Sequence, residues 1–106
     1  MKIQIQKEIS KGGKMLSQFP IDLGKVNEKD LDKEILRLGI IAELDAVSLY
    51  EQLAAKTKDA HIKRILLDIA KEEKTHVGEF QALLLKLDKE QVKELEAGKK
   101  EVEEKS

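Results

Sequence analysis

Three residues of this sequence have the side chains and the spacing of metal ligands. Glu73 and His76 stand three residues apart in a Glu-x-x-His motif, and Glu43 lies well upstream of them. Residues three apart on a helix share a face, so the Glu73 carboxylate and the His76 imidazole are expected to lie side by side. Carboxylate oxygen and imidazole nitrogen together suit a hard or borderline divalent metal ion. The spacing therefore predicts a metal site.

The same three residues interrupt apolar stripes, which places them at a helical interface. The apolar residues around Glu73 and His76 step by three and four, at Ile62, Leu66, Ile69, Phe80, Leu83 and Leu87. A second stripe, interrupted by Glu43, contains Leu36, Ile40, Val47, Tyr50 and Ala54. Both follow the period of one helix face. A carboxylate in an apolar seam is costly unless it is paired or binds a metal.

Two long helices joined by a short polar break must position these ligands. The break falls at 57–59 and predicts an antiparallel helical hairpin. Glu43 lies about four helical turns before that break and Glu73 about four turns after it, so the two carboxylates should meet at the same height. The alternative is that Glu73 and His76 hydrogen-bond to each other at an interface without metal. The matching height favours the metal site.

The chain contains only half of the ligand set of a helical di-iron site. Such a site takes one Glu from each of two helices and Glu-x-x-His from each of the other two. No second Glu-x-x-His occurs in the sequence, so we expect a second copy of the chain to complete a site for two iron ions. Tyr50 lies two turns from Glu43 on the same stripe. It is a candidate neighbour of the metals, or an interface tyrosine whose hydroxyl is satisfied elsewhere.

Composition and charge exclude several other classes of protein. The 106 residues have a net charge of −1, which leaves no basic footprint for nucleic acid. The absence of cysteine excludes disulfides, iron–sulfur clusters and thiol catalysis. No apolar run approaches the ~20 residues of a membrane span and no signal peptide is visible, so the sequence predicts a soluble, cytoplasmic protein without a membrane partner. Two helices alone bury little apolar surface, so self-association is expected.

The sequence predicts an all-α domain between two poorly patterned ends. Residues 1–26 are expected to form a flexible arm, in which 1–6 alternate like a short strand. The helical domain spans 27–97, and the charged stretch 98–106 is expected to form a mobile tail. The helices within the domain are predicted at about 28–56, 60–87 and 89–97.

Capping residues mark the predicted helix ends. Asn27 or Asp30 should cap the first helix and Asp59 the second, whereas Asp88 opens the third helix in a capping box. Ala97-Gly98 should end the third helix. Within the first helix, Gly39 costs about 1 kcal/mol relative to Ala. A close approach of the helices or room for a metal would compensate for this cost, and the alternative is that the glycine is merely tolerated.

The start of the chain contains one further pattern. The codons for Lys11-Gly12-Gly13-Lys14, directly before Met15, can contain the ribosome-binding sequence GGAGGT. This pattern suggests the hypothesis that Met15 is the natural start and that the preceding residues are translated leader. An ordinary disordered tail is the alternative.

The segments around the ligands resemble the encapsulated ferritin family, which consists of ferritin-like proteins housed in encapsulin nanocompartments. The resemblance rests on residues 40–52, IIAELDAVSLYEQ, and 65–80, ILLDIAKEEKTHVGEF. It extends from about Leu31 to Leu95 and is nearest to the archaeal form fused to the encapsulin shell protein. It implies a two-helix subunit that pairs into a ferritin-like four-helix bundle, with the pairs assembled into a decameric ring.

The resemblance also implies an activity and partners. The implied reaction is that of a ferroxidase, which oxidises Fe(II) to Fe(III) with O₂, with the mineral stored by a surrounding encapsulin shell in the cytoplasm. Glu43, Glu73 and His76 match the family's ferroxidase ligands, and Tyr50 matches a tyrosine near that centre. Asp45 falls where an acid of a proposed outer iron site lies.

The end of the sequence departs from the family pattern. Members that travel as separate cargo end in an apolar docking peptide, whereas 99–106 is charged. The chain is therefore trimmed, or the front part of a fusion with the shell, or not encapsulated. A tryptophan near the site in some relatives is Leu49 here.

Two other functions stay open at this point. One is a rubrerythrin-like di-iron peroxide reductase, which the absence of a cysteine electron donor disfavours. The other is a non-enzymatic helical cargo or assembly module in which the three ligands are structural.

Overall fold

This computed structural model describes residues 22–106, in which two short 3-10 turns precede a helical hairpin and a third helix. The helices are α1 (Leu31–Lys56), α2 (Ala60–Leu87) and α3 (Lys89–Glu104). Residues 22–106 contain no strand, so the all-α prediction is confirmed. None of these helices is long and apolar enough to span a membrane. The strand-like pattern at 1–6, most of the predicted arm and the Met15 start lie outside the described residues.

The contact between α1 and α2 forms the core of the hairpin. Its buried apolar residues are Val47 and Ala54 on α1, and Ala70 and Leu84 on α2. Ion pairs across the helices show that they run antiparallel, because Glu51 pairs with Lys74 nearer the turn while Arg37 pairs with Asp88 at the far end. The hairpin predicted from the short break at 57–59 is therefore confirmed.

Side-chain caps begin α2 and α3 where the sequence predicts them. The carboxylate of Asp59 accepts hydrogen bonds from the backbone N–H groups of His61 and Ile62, at 2.8 and 2.9 Å. The carboxylate of Asp88 accepts one from the N–H of Gln91 at 3.0 Å. Each bond satisfies a donor that the first turn of a helix leaves without a partner.

The first helix begins differently from the prediction. Neither Asn27 nor Asp30 makes a side-chain cap. A 3-10 turn, Glu28–Asp30, precedes α1 instead, and the Asn27 carbonyl accepts the N–H of Asp30 at 2.9 Å. The backbone of Asn27 thus takes the place of its side chain, because the tighter turn brings the N–H of the third residue within reach.

The third helix is longer than predicted. The sequence predicts its end at Ala97-Gly98, but α3 continues through Gly98 to Glu104. A Cβ at Gly98 would meet no atom within 4 Å, so the glycine costs the helix only its weak propensity, about 1 kcal/mol. Lys and Glu dominate the residues after it and are good helix formers, and extending a helix is easier than nucleating one. The predicted end of the third helix at Ala97-Gly98 is therefore wrong.

Arg37 ties α1 to the junction between α2 and α3. Its guanidinium donates to Glu34 on α1 at 2.8 Å and to Asp88 at 2.9 Å. The N–H of Gln91 and, less strongly, the Arg37 guanidinium hold the pKa of the Asp88 carboxyl below its ordinary value. Asp88 therefore caps α3 and connects the junction to α1 with one side chain.

Candidate metal centre

Glu43 on α1 meets Glu73 and His76 on α2 near the middle of the hairpin. One ligand atom from each residue lies within 4.8 Å of the other two. The Nδ1 atom of His76 is 3.3 Å from Oε2 of Glu43 and 3.4 Å from Oε2 of Glu73. The structure thus brings the three residues together at one height, as counting turns from the interhelical break predicts.

Apolar layers lie on both sides of the three ligands. Toward the interhelical turn, Val47 and Ala70 are buried. Away from the turn, the ring of Phe80 lies against Gly39, with ring carbons 3.2 Å from the position that a Cβ would occupy. Gly39 therefore permits close packing of the helices, one of its two expected roles, and the room it leaves is filled by an aromatic ring rather than a metal.

The ligands open toward one side of the hairpin. The Glu43 and Glu73 side chains are 15% and 18% exposed, whereas the His76 side chain is 44% exposed. Exposed apolar residues lie along the same side of α2, at helical steps from His76. We call this surface the site face; its exposed residues on α2 are Ile62, Ile65, Leu83 and Leu87.

The donor set and its geometry fit a divalent metal ion. Atoms bound about 2.1 Å from one ion lie about 3 Å from each other, close to the distances between Nδ1 and the two carboxylates. A neutral imidazole has a single N–H to offer, so it cannot fully compensate two neighbouring carboxylates. A divalent cation offsets their charge, and two carboxylates with one imidazole suit iron, manganese or zinc.

The other residues of interest from the sequence lie outside this cluster. Tyr50 is half-buried on α1, and within residues 22–106 no hydrogen bond joins its hydroxyl to the three ligands. Asp45 is half-buried and is not one of the converging groups. Their roles near the centre stay predictions. Sequence reasoning missed the contact of Phe80 with Gly39, although a glycine in the middle of a helix was the signal for it.

The relatives described here are both encapsulin-associated proteins. The family model described as Rubrerythrin matches residues 34–106. The chain is 58% identical over 92 residues to the ferritin-like-encapsulin shell fusion protein of Pyrococcus furiosus, covering 85% of this chain and 27% of that protein. It is 39% identical over 67 residues to the encapsulin nanocompartment cargo protein EncC of Myxococcus xanthus, covering 63% of this chain and 51% of that protein. The chain thus spans between a quarter and about half of these relatives.

A solved structure agrees with these relatives. The crystal structure of the encapsulated ferritin domain from Pyrococcus furiosus matches with a TM-score of 0.72 and 57% sequence identity. The match covers 84% of this chain and 93% of that domain. Sequence, fold and coverage therefore agree, and the chain belongs to the encapsulated ferritin family, with a rubrerythrin-type helical domain.

Proposed function

We propose that this chain is a ferroxidase of an encapsulin iron-storage system and that Glu43, Glu73 and His76 bind the Fe(II) it oxidises. The observation that carries the proposal is the convergence of their ligand atoms within 4.8 Å on two helices. Helical bundles with this set of Glu and Glu-x-x-His ligands bind pairs of iron or manganese ions. We choose iron because the chain belongs to the encapsulated ferritin family.

A second copy of the chain completes the centre. One chain supplies three ligands, and the exposed site face around His76 is the surface through which two hairpins pair. Two-fold pairing brings two copies each of Glu43, Glu73 and His76 around two ions. The four carboxylates then offset the four positive charges of two Fe(II) ions. Pairing also removes the site face from water, so metal binding and association reinforce each other.

Each group of residues has a defined task in the oxidation. The carboxylates of Glu43 and Glu73 favour the product because hard, anionic oxygen ligands interact more strongly with Fe(III) than with Fe(II). The apolar layers on both sides of the ligands limit access of water and strengthen these interactions. Each of two Fe(II) ions loses one electron. The two electrons, together with two protons, reduce one O₂ to H₂O₂.

The relatives indicate where the reaction takes place. One is a fusion with an encapsulin shell and another is an encapsulin cargo protein. We infer that this chain works inside an encapsulin nanocompartment in the cytoplasm, where the shell stores the Fe(III) product as mineral. Pairs of chains then assemble further, into a decameric ring.

Anaerobic titration of metal-free protein with Fe(II), followed by admission of air, tests the proposal. We expect saturation at one iron per chain, a rise in mass that reports pairing, and an Fe(III) absorbance that develops faster than in buffer. Glu73→Gln protein is the control and should bind Fe(II) much more weakly and lose the accelerated oxidation. Wild-type protein that does not bind Fe(II), or that binds it without faster oxidation, would contradict the proposal.

A di-iron peroxide reductase is the second candidate, because the matching family model is that of Rubrerythrin. The same three ligands would serve it, but these 106 residues contain no cysteine to deliver electrons, so the electrons would have to come from outside them. Oxidation rates of the Fe(II)-loaded protein with O₂ and with H₂O₂ separate the two. A much faster reaction with H₂O₂ would favour the reductase.

A further inference from the structure

The contact between Phe80 and Gly39 indicates a role beyond filling the core. We propose that Phe80 and Gly39 are a positioning pair, which fixes the spacing of α1 and α2 at the metal centre and restricts the imidazole of His76. This inference rests on the proposed binding of metal by Glu43, Glu73 and His76. It assigns to two residues that bind no metal the task of holding the ligands in place.

The ring of Phe80 lies on the backbone of α1. The Cδ2 and Cε2 atoms are 3.2 Å, and Cδ1 is 3.3 Å, from the position of a Cβ at Gly39. Nearly equal distances to carbons on both edges of the ring mean that its face covers the glycine. Only glycine leaves this space free, because every other residue carries a Cβ there. The thickness of one aromatic ring therefore sets how closely the two helices approach.

This contact adjoins the ligands on both helices. Gly39 lies four residues before Glu43 on α1, and Phe80 lies four residues after His76 on α2. Residues four apart on a helix are neighbours on one face. Phe80 and Gly39 thus form the layer next to the cluster, and a shift of the ring moves the Glu43 backbone relative to His76. The His76 side chain is 44% exposed, and in this proposal the Phe80 ring, one turn along the same face of α2, limits the movement of the imidazole.

Two other glycines show that the packing at Gly39 is specific. Gly78 on α2 and Gly98 on α3 also interrupt helices, but a Cβ at either position would meet nothing within 4 Å. All three glycines cost helix propensity, and among them only Gly39 makes room for a side chain. Gly78→Ala is therefore a matched control, because it makes the same chemical change on a helix of the same hairpin without touching the Phe80 ring.

Gly39→Ala should weaken metal binding without unfolding the protein. The new methyl group displaces the ring by a few tenths of an ångström, while alanine favours the helix. We expect the affinity for Co(II) to fall about tenfold, as it does when residues that orient metal ligands are changed. Phe80→Leu should weaken metal binding similarly, because a smaller side chain no longer fixes the distance between α1 and α2.

Combining the two changes should restore part of the affinity, since the methyl group fills part of the space that the ring leaves.

Co(II) titration measures both affinity and ligand geometry. Co(II) is titrated in competition with a chelator, while its visible spectrum is recorded, into five proteins: wild type, Gly39→Ala, Phe80→Leu, the double variant and Gly78→Ala. Far-UV circular dichroism and thermal melting of the metal-free proteins establish that each variant is folded. The positioning pair is supported if both single variants bind Co(II) more weakly and with an altered spectrum. The double variant should then recover part of the affinity, and Gly78→Ala should behave like wild type.

The opposite outcomes separate this inference from the proposed function. If wild-type protein binds Co(II) and both single variants bind it as tightly and with the same spectrum as Gly78→Ala, the positioning role is wrong and the metal site stands. If wild-type protein binds neither Co(II) nor Fe(II), both proposals are wrong.

Discussion

At the scale of single residues, the two carboxylates beside His76 are the feature that needs an explanation. Glu43 and Glu73 are largely buried and both approach the same imidazole nitrogen. Two neighbouring carboxylates repel each other when no cation lies between them. In a metal-binding site this repulsion lowers the stability of the metal-free protein, and a bound divalent ion removes the repulsion. Metal affinity and metal-free stability should therefore respond in opposite directions to the loss of one charge.

Glu73→Gln tests this expectation with little change in shape. We expect the affinity for Fe(II) or Co(II) to fall about 100-fold. Changing a residue that only orients a metal ligand lowers metal affinity by about 10- to 100-fold, and removing a ligand should lower it at least as much. The metal-free variant should be at least as stable as wild type in urea unfolding, because one of two repelling charges is gone. Glu72→Gln, one position earlier and exposed, is the control and should leave metal affinity unchanged. A metal-free Glu73→Gln protein that is much less stable than wild type would indicate a structural role for the carboxylate.

At the scale of elements, the starts of α2 and α3 each depend on one aspartate side chain. Asp59 begins α2 with two hydrogen bonds from backbone N–H groups, and its position fixes where the second half of the ligand set starts. Asp88 does the same for α3 and also pairs with Arg37. The connections are short, so a weakened cap affects the packing of the adjoining helix as well as its first turn.

Removing the cap of α2 should destabilise the hairpin measurably. Asp59→Ala leaves two backbone N–H groups without their side-chain acceptor, and we expect the free energy of unfolding to fall by about 1 kcal/mol. Asp59→Asn keeps an acceptor oxygen and should lose much less. Urea unfolding followed by circular dichroism measures both. Equal losses for Ala and Asn would show that the charge of Asp59, rather than its hydrogen bonds, stabilises the helix.

Acid should loosen the junction between α2 and α3. The N–H of Gln91 and the Arg37 guanidinium lower the pKa of Asp88 in the folded protein. Its carboxylate therefore stabilises the fold above the ordinary pKa of the group, and this contribution disappears as the pH falls below about 4 and through the lowered pKa.

Asp88→Asn isolates that contribution from other acids. The amide still offers an acceptor to the Gln91 N–H but loses the charge, so the stability lost between pH 6 and pH 3 should be smaller than in wild type. Melting temperatures across this range measure the difference. Parallel pH profiles for the two proteins would mean that Asp88 does not contribute to the acid response.

At the scale of the whole molecule, the hairpin has an apolar surface that is left uncovered. The site face carries isoleucines and leucines that are close to half exposed, and the metal ligands open onto it. Contiguous exposed apolar surface of this kind marks an interaction site. We expect a second copy of the chain to cover it, because pairing would also supply the missing ligands of the proposed centre in one step.

Two leucines of nearly equal exposure on α2 allow a direct test of pairing. Leu83 is 49% exposed and lies two turns from His76 on the site face, whereas Leu67 is 46% exposed and points away from it. Leu83→Lys should prevent the metal-induced rise in mass, because pairing would bury a charge. Leu67→Lys should pair like wild type. Sedimentation equilibrium with and without Fe(II) distinguishes them, and normal pairing of Leu83→Lys would rule out this surface as the interface.

Much of the fold and of the ligand set could be predicted from the sequence because these features depend on short-range regularities. The helix period puts Glu73 and His76 on one face, and the distance of Glu43 from the interhelical break sets its height. Local hydrogen bonds at Asp59 and Asp88 predict two helix starts. The end of α3 could not be predicted in the same way, because the effect of Gly98 depends on whether its backbone is helical or left-handed, which the residue type leaves open.

Only the tertiary structure decides what lies next to the ligands. Glycine at position 39 is compatible with a close helix approach or with an empty space, and the choice depends on where the distant side chain of Phe80 points. In the same way, the sequence places Glu43, Glu73 and His76 on facing stripes, while the packing of α1 on α2 determines that the carboxylates are enclosed and the imidazole opens onto the site face. Chain-local geometry determines which residues share a face, whereas contacts between residues far apart in the sequence determine how closely those faces meet.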